Sequence, residues 1–335
     1  MTSMSTVACK QAQVQPLMNF RGGLNMESIY HRRDKVVFVV GATGTGKSRL
    51  AIDLAVRFRG EVVNSDKIQV HKGLDTITNK VTEEECRGVT HHLLGIAAPD
   101  SEFTAVDFRR CALLAIESIL ARGRLPIIAG GSNSFIDALV NGGPEVRSRY
   151  DCCFFWVDVS MPVLHSFVSR RVDRMVESGL VEEVRSVYHP GADNSKGIKR
   201  AIGVSEMEQY LSSESTADDR TRAKLLEEAV ESIKVNTCAL ARRQLEKIQS
   251  LSSNWAGDMN RIDATEVFLK EGKETDEAWA RLVAGPCTIL LYKFLYGQDP
   301  MAAMLSTDTS HDVTIGKLVS VSIPMIVVAA TTTRV

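Results

Sequence analysis

Little in this 335-residue chain points to a membrane, a disulfide framework or a polyanionic partner. No apolar run reaches the ~18 residues that a bilayer-spanning helix needs. The longest candidate, Val319 to Ala330, is broken by Ser320, Ser322 and Pro324, so a soluble protein with no membrane partner is expected. The seven cysteines (Cys9, Cys86, Cys111, Cys152, Cys153, Cys238 and Cys287) are odd in number and contain no C-x-x-C pair. That argues against a disulfide scaffold or a zinc site and for reduced thiols inside a cell. With 40 basic against 41 acidic residues the net charge is −1, without the basic excess of nucleic-acid binders, so no nucleic-acid partner is expected. A guanine-reading Asn-Lys-x-Asp element is also missing, because Asn79-Lys80-Val81-Thr82 lacks the acid, which argues against a GTP switch.

What is present is an ordinary globular interior, 44% hydrophobic, organised around one stretch. The apolar run Val36–Val40 enters Gly41-Ala42-Thr43-Gly44-Thr45-Gly46-Lys47-Ser48, and a second short apolar run ends at Asn64-Ser65-Asp66. This is a strand, a G-x-x-x-x-G-K-[ST] phosphate loop, a helix and another strand. In such a loop the glycines let backbone N–H groups converge on phosphate oxygens, the lysine meets their charge and the serine hydroxyl meets Mg²⁺. The start of the following helix adds its dipole. Asp66 then lies at a strand's C-terminal end, where open α/β sheets place their chemistry.

Further along, Lys67 to Thr90 reads as a polar substrate loop, and the adjacent His91-His92 reads as structural, since neighbours on a strand face opposite ways. Thr104 with Asp107 caps a helix that Gly123 stops. Leu125–Ala129 is a buried strand ending in the tight turn Gly130-Gly131-Ser132-Asn133. Cys152–Val159 reads as the last parallel strand, with Asp158 either a carboxylate on the Mg²⁺ side or a plain strand-end cap. Ser160 and Pro162 open a helix carrying Arg170, Arg171, Asp173 and Arg174. From Val181 to Ser250 the pattern is helical, including a long amphipathic helix marked by Leu226, Val230, Ile233, Ala241, Leu245 and Ile248, with Lys199-Arg200 in the connection before it. The fold class is therefore α/β, a P-loop NTPase-like parallel sheet flanked by helices, with a smaller helical subdomain.

The phosphate loop leaves a kinase or a transferase open. Taken in order, the phosphate loop, Asn64-Ser65-Asp66-Lys67-Ile68-Gln69-Val70, Thr78-Asn79-Lys80, His91-His92-Leu93-Leu94-Gly95, Gly130-Gly131-Ser132-Asn133, Arg171-Val172-Asp173 and Arg200-Ala201-Ile202-Gly203 resemble the plant adenylate isopentenyltransferases that begin cytokinin synthesis. The resemblance covers about Lys35 to Gly285. It implies transfer of a dimethylallyl group from its diphosphate to N6 of AMP, ADP or ATP, with Mg²⁺ as cofactor. It also implies roles: Lys47 and Arg171 on the leaving diphosphate, Mg²⁺ on Ser48, and Asp66 as the base for N6. Ser132 would help fix Asp66 or the substrate, Thr45 and Lys80 would contact phosphates, and Lys199 and Arg200 are further nucleotide-binding candidates, with Gly41, Thr43, Gly44 and Gly46 forming the cradle.

The related tRNA dimethylallyltransferases share most of these motifs but carry an inserted helical domain between the Gly-Gly turn and the arginine helix, and the larger ones add a zinc finger. Here only 132–170 separates Gly131 from Arg171, which favours a free nucleotide; a tRNA enzyme and a small-molecule kinase are the alternatives. The expected organisation is a disordered or plastid-transit segment over 1–34, since 1–33 sets Lys10, Arg21, Arg32 and Arg33 against Glu27 alone. A phosphate-loop core over 35–160 and a helical substrate-binding region over 161–285 follow, then an atypical, poorly ordered tail over 286–335. A plastid location is expected, with the cytoplasm the alternative, and the chain is expected to be a monomer.

Overall fold

The computed structural model describes residues 33–297 apart from 144, 192 and 253–258. The element order is β1 (Asp34–Val40), α1 (Lys47–Phe58), β2 (Gly60–Asn64), α2 (Glu83–Cys86), β3 (His91–His92), α3 (Ala105–Ala121), β4 (Leu125–Ala129), α4 (Asn133–Asn141), α5 (Glu145–Arg149) and β5 (Tyr150–Asp158), followed by α6 (Met161–Glu177), α7 (Leu180–Val187), α8 (Glu208–Ser213), α9 (Asp219–Ser252), β6 (Met259–Asp263), α10 (Lys273–Trp279) and α11 (Gly285–Tyr296). The six strands form one parallel sheet in the order β3-β2-β4-β1-β5-β6.

β1 sits between β4 and β5, and Val36 to Val40 are all fully buried, which explains why the run is apolar throughout rather than alternating. The two-residue period still divides its side chains. Val37 and Val39 face Leu50, Leu54 and Phe155, while Val36, Phe38 and Val40 face Phe108, Ile116 and Phe154 on the other side. The Phe38 and Phe154 rings stack at 4.6 Å. Truncating a ring packed like Phe38 costs about 3–5 kcal/mol. A third cluster joins α6, α7 and α9 (Val172, Leu180, Val184, Ile233) to Leu74 and Ile77 of the loop after β2. The spine is α9, whose Ala229 and Ile233 belong to that cluster, Ala241 to one face of the sheet, and Ile248 and Leu251 to the other.

The local signals act as their chemistry requires. Thr104 and Asp107 make a reciprocal capping box on α3, and Ser160 precedes α6 with proline in its first turn. His91 bonds the Val89 carbonyl and His92 pairs with buried Glu61 at 2.7 Å, so this pair is structural. Burial alone would raise the Glu61 carboxyl, but hydrogen bonds from Arg122 and His92 hold it below the usual range.

Two expectations need correction. The last parallel strand is β6, not β5: Met259-Asn260-Arg261-Ile262-Asp263 is a sheet edge with only Ile262 buried, so no apolar run announces it. Nor does order stop at 285. Gly285-Pro286 looks like a breaker, but the chain stays helical from α10 through a π turn over Ala280–Ala284 into α11, the wider turn just before Pro286 accommodates its missing N–H, and Cys287 and Leu291 are fully buried in the core. The remainder of the proposed tail, 298–335, and nearly all of the proposed 1–34 segment lie outside the described residues. No helix among the described residues is long and apolar enough to cross a membrane.

Candidate active site

The carboxyl ends of β1, β2 and β4 open into a cleft of about 1720 Å³ whose walls come from the phosphate loop, the loop after β2, α6, α9 and the segment before α10. The phosphate loop leaves β1 at Val40 and turns into α1 at Gly46, whose φ of +88° only glycine adopts without strain. A Cβ there would also lie 2.7 Å from the indole of Trp279. Gly41 and Gly44 pack as closely, against the Val157 carbonyl and Val168 respectively. Lys47 is almost wholly buried, and its Nζ donates to the Ala42 carbonyl at 2.6 Å. Burial lowers its pKa to about 8, opposed by Asp66 and assisted by Arg171. Ser48 lines the cleft beside it.

Asp66 stands two residues beyond the end of β2. Its Oδ1 accepts the backbone N–H groups of Ile68 at 2.9 Å and Gln69 at 3.3 Å, so the carboxylate is held by its own turn. Its Oδ2 lies 3.5 Å from the point where a Cβ on Gly131 would stand, at the mouth of the β4 turn. Arg171, from α6, donates from Nη2 to Thr43 Oγ1 at 3.0 Å, while its Nε is buried without a hydrogen-bond partner. Burial, with Arg174 nearby, brings the guanidinium down to about 10. An unsatisfied buried donor is costly, and an anion entering the cleft would satisfy it. Arg170, Arg174, Arg200 and Arg243 line the same cleft.

Several sequence candidates behave differently from their expected roles. Thr45 is buried, does not line the cleft, and donates to the Ala42 carbonyl at 3.0 Å, so its hydroxyl braces the loop. Ser132 accepts the N–H of Lys67 at 2.8 Å, fixing the chain just after Asp66 and not the carboxylate itself. Lys80 lines the cleft but spends its ammonium on Gly73 O at 2.5 Å and Asp75 at 2.7 Å. Lys199 lies outside the cleft lining, directed at Asp100 at 3.6 Å; of the pair, only Arg200 reaches the cleft. Asp158 is gripped by Arg261, at 2.9 Å from Nε and 2.5 Å from Nη2, which makes it a strand-end ion pair and not a metal-side carboxylate.

Sequence reasoning missed two residues. Trp279 covers the phosphate loop, and Gln244 bridges it to the β4 turn: Gln244 Oε1 accepts Thr43 N–H at 2.7 Å and its Nε2 donates to Gly131 O at 2.8 Å. A signal for Gln244 was available, since it stands three residues after Ala241 and four before Ile248 on the apolar stripe of α9, where a polar side chain needs a partner.

Comparison with known proteins follows the same lines. The IPP transferase family model matches residues 69–149 and 143–250. Adenylate isopentenyltransferase 5, chloroplastic, of Arabidopsis thaliana is 59% identical over 290 residues, covering 85% of this chain and 88% of the relative. Adenylate isopentenyltransferase 7, mitochondrial, of the same plant is 57% identical, covering 84% and 88%. Among solved structures, a eukaryotic dimethylallyltransferase acting on tRNA superposes with a TM-score of 0.67 at 24% identity, covering 82% of this chain and 84% of that one, a likeness of fold. The full-length tRNA isopentenylpyrophosphate transferase of Bacillus halodurans gives 0.62 at 26% identity, covering 82% and 100%. With a P-loop sheet, seven ordered motifs and this identity over most of its length, the chain belongs to the IPP transferase family, among its adenylate isopentenyltransferases.

Proposed function

We propose that this prenyltransferase moves the dimethylallyl group of dimethylallyl diphosphate onto the exocyclic N6 of AMP, ADP or ATP, the first step of cytokinin synthesis. The observation that carries the reading is the placement of one braced carboxylate, Asp66, across a single cleft from a phosphate loop backed by Lys47 and Arg171. As the allylic C–O bond breaks, charge builds on the diphosphate, and Lys47, Arg171 and the loop N–H groups neutralise it there. Asp66 Oδ2 accepts a hydrogen bond from the N6 amine and then its proton, aiming the nitrogen at the allylic carbon. Two backbone N–H groups on Oδ1 leave Oδ2 as the oxygen directed to that task.

Mg²⁺ fits this site as the companion of the diphosphate. Among the described residues no group of three or more His, Cys, Asp or Glu side chains could cage a metal. Mg²⁺ is commonly held by one or two protein groups with substrate phosphates and water completing its shell, and the Ser48 hydroxyl beside Lys47 is such a group. The ion would add charge neutralisation to the leaving group.

The free nucleotide is favoured as acceptor because α4, α5, β5 and α6 run in direct succession after Gly131, leaving no segment there for the inserted domain expected of a tRNA enzyme. Incubation with dimethylallyl diphosphate, Mg²⁺ and AMP, ADP, ATP or tRNA in parallel tests the reading: N6-dimethylallyl adenylate is expected, and phosphate transfer instead would mark a kinase. A plastid address is proposed from the acid-poor composition of 1–33 together with the chloroplastic label of several relatives. A fusion of that segment to a fluorescent passenger checks it, and passenger in mitochondria or cytosol rejects it.

A further inference from the structure

The side-chain amide of Gln244 ties the phosphate loop to the β4 turn, which backbone bonds from Ser65 N–H to Ala129 O at 2.8 Å and from Ser132 N–H to Ser65 O at 3.2 Å already join to the end of β2. Strand ladders fix β1, β4 and β2 relative to one another, but they end at Val39 with Ala129 and at Asn64 with Ala129, below the tips where the chemistry lies. Beyond that edge Gln244 accepts from Thr43 N–H at 2.7 Å and donates to Gly131 O at 2.8 Å, while its own backbone carbonyl accepts Asn133 Nδ2 at 2.9 Å. An N–H on one side and a carbonyl on the other permit only one orientation of the amide. The glycine at 131 makes room for it: a Cβ there would stand 2.6 Å from Gln244 Nε2 and 3.5 Å from Asp66 Oδ2. The connection continues on both sides. Thr43 Oγ1 receives Arg171, and Ser132, next to Gly131, receives the N–H of Lys67, next to Asp66.

We propose that Gln244 is a positioning residue for prenyl transfer, setting the distance between the phosphate loop that holds the leaving diphosphate and the Asp66 carboxylate that receives the N6 proton. This rests on the function proposed above. The path Arg171–Thr43–Gln244–Gly131–Ser132–Lys67 runs from the donor side to the residue beside the base through hydrogen bonds and single backbone steps. Displacement of reacting groups by about 1 Å costs on the order of 10²-fold in rate, so a tether of this kind acts on turnover more than on affinity.

Two variants test it. Gln244→Leu keeps the volume and loses both bonds. Gln244→Glu as a carboxylate accepts from Thr43 N–H but has no proton for Gly131 O, and as the neutral acid it makes both bonds again. The charged groups around that position are Asp66, Lys47, Arg171 and Arg243; three cations against one carboxylate favour the ionised form, so this variant keeps the bond from Thr43 N–H and loses the one to Gly131 O. Steady-state kinetics of each variant with dimethylallyl diphosphate and ADP are compared with the parent. Gln244→Leu is expected to lose more than about fivefold in kcat with KM for each substrate within about threefold. A smaller loss, or one confined to KM, overturns the proposal. If Gln244→Leu fails to fold, Gln244→Glu decides: a loss of more than about fivefold in kcat with KM for each substrate within about threefold supports the tether, and a smaller loss, or one confined to KM, overturns it. A parent that prenylates no adenylate would instead refute the proposed function, and the two failures are separable because each variant is scored only against an active parent.

Discussion

Trp279 seals the phosphate loop at Gly46: its ring lies 2.7 Å from the site of a Cβ on that glycine, and its Nε1 donates to Asp53 on α1 at 2.7 Å. Arg49 lies 4.7 Å over the same ring and pairs with Asp276 at 2.8 Å, so α10 is clamped along the first turns of α1. Trp279→Ala should cost about 3–5 kcal/mol of stability and weaken inorganic diphosphate binding, because the helix start that presents the loop loses its cover. Trp279→Phe keeps the packing and gives up the bond to Asp53, a loss of about 1 kcal/mol. Thermal unfolding and diphosphate calorimetry measure both, and an unchanged diphosphate affinity in Trp279→Ala would detach α10 from the site.

That contact shows where the sequence stops being legible. Val36 to Val40, the phosphate loop, Asp66 and the cap at Thr104 are local: each is read from neighbours within a few residues, and each stands at the place in the fold that this reading gives it. Trp279 over Gly46 and Gln244 across Thr43 and Gly131 join positions far apart in the chain, and spacing carries no register for such pairs. Lys199 and Thr45 point elsewhere for a related reason. Their residue types suit phosphate, but Asp100 and the Ala42 carbonyl were nearer. β6 escaped notice because an edge strand with one buried side chain has too little apolar content to set a period.

Lys47 predicts a proton coupled to binding. Burial holds its pKa at about 8, so above that pH the free protein carries an increasingly neutral amine. A bound diphosphate restores the charge, and net proton uptake on diphosphate binding is expected near pH 8 and above. Calorimetry in buffers of different ionisation enthalpy reads it; no buffer dependence would refute it. The sign for stability follows. Between about 8 and the ordinary value of 10.5 the unfolded chain binds the proton that the folded one does not, so folding gains from rising pH across that window. Lys47→Met should therefore be the more stable protein at neutral pH and the poorer binder.

Asp66→Asn keeps the shape and the Oδ1 acceptor for Ile68 and Gln69 while removing the base. Turnover should fall ~10²–10⁴-fold with adenylate affinity little changed. A variant retaining more than about a tenth of the parent rate would take proton acceptance away from Asp66.

The choice of acceptor is open to a physical test that does not depend on rates alone. A tRNA must be gripped along many phosphates, and each neutralised phosphate releases counterions, so log K for tRNA falls by roughly 0.7–0.9 per log unit of salt for every contact. A free adenylate has few phosphates, and its dependence is shallow. Cations of this site, among them Lys47, Arg170, Arg171, Arg174, Arg200 and Arg243, are gathered around one cleft, and the chain as a whole has a net charge of −1. That distribution suits a small polyphosphate far better than an extended backbone. Prenylation of AMP, ADP or ATP with weak salt dependence is expected, with tRNA inert. Efficient, steeply salt-sensitive prenylation of a tRNA adenine would show instead that a surface outside the cleft, with exposed Arg242 of α9 the first candidate, grips the nucleic acid.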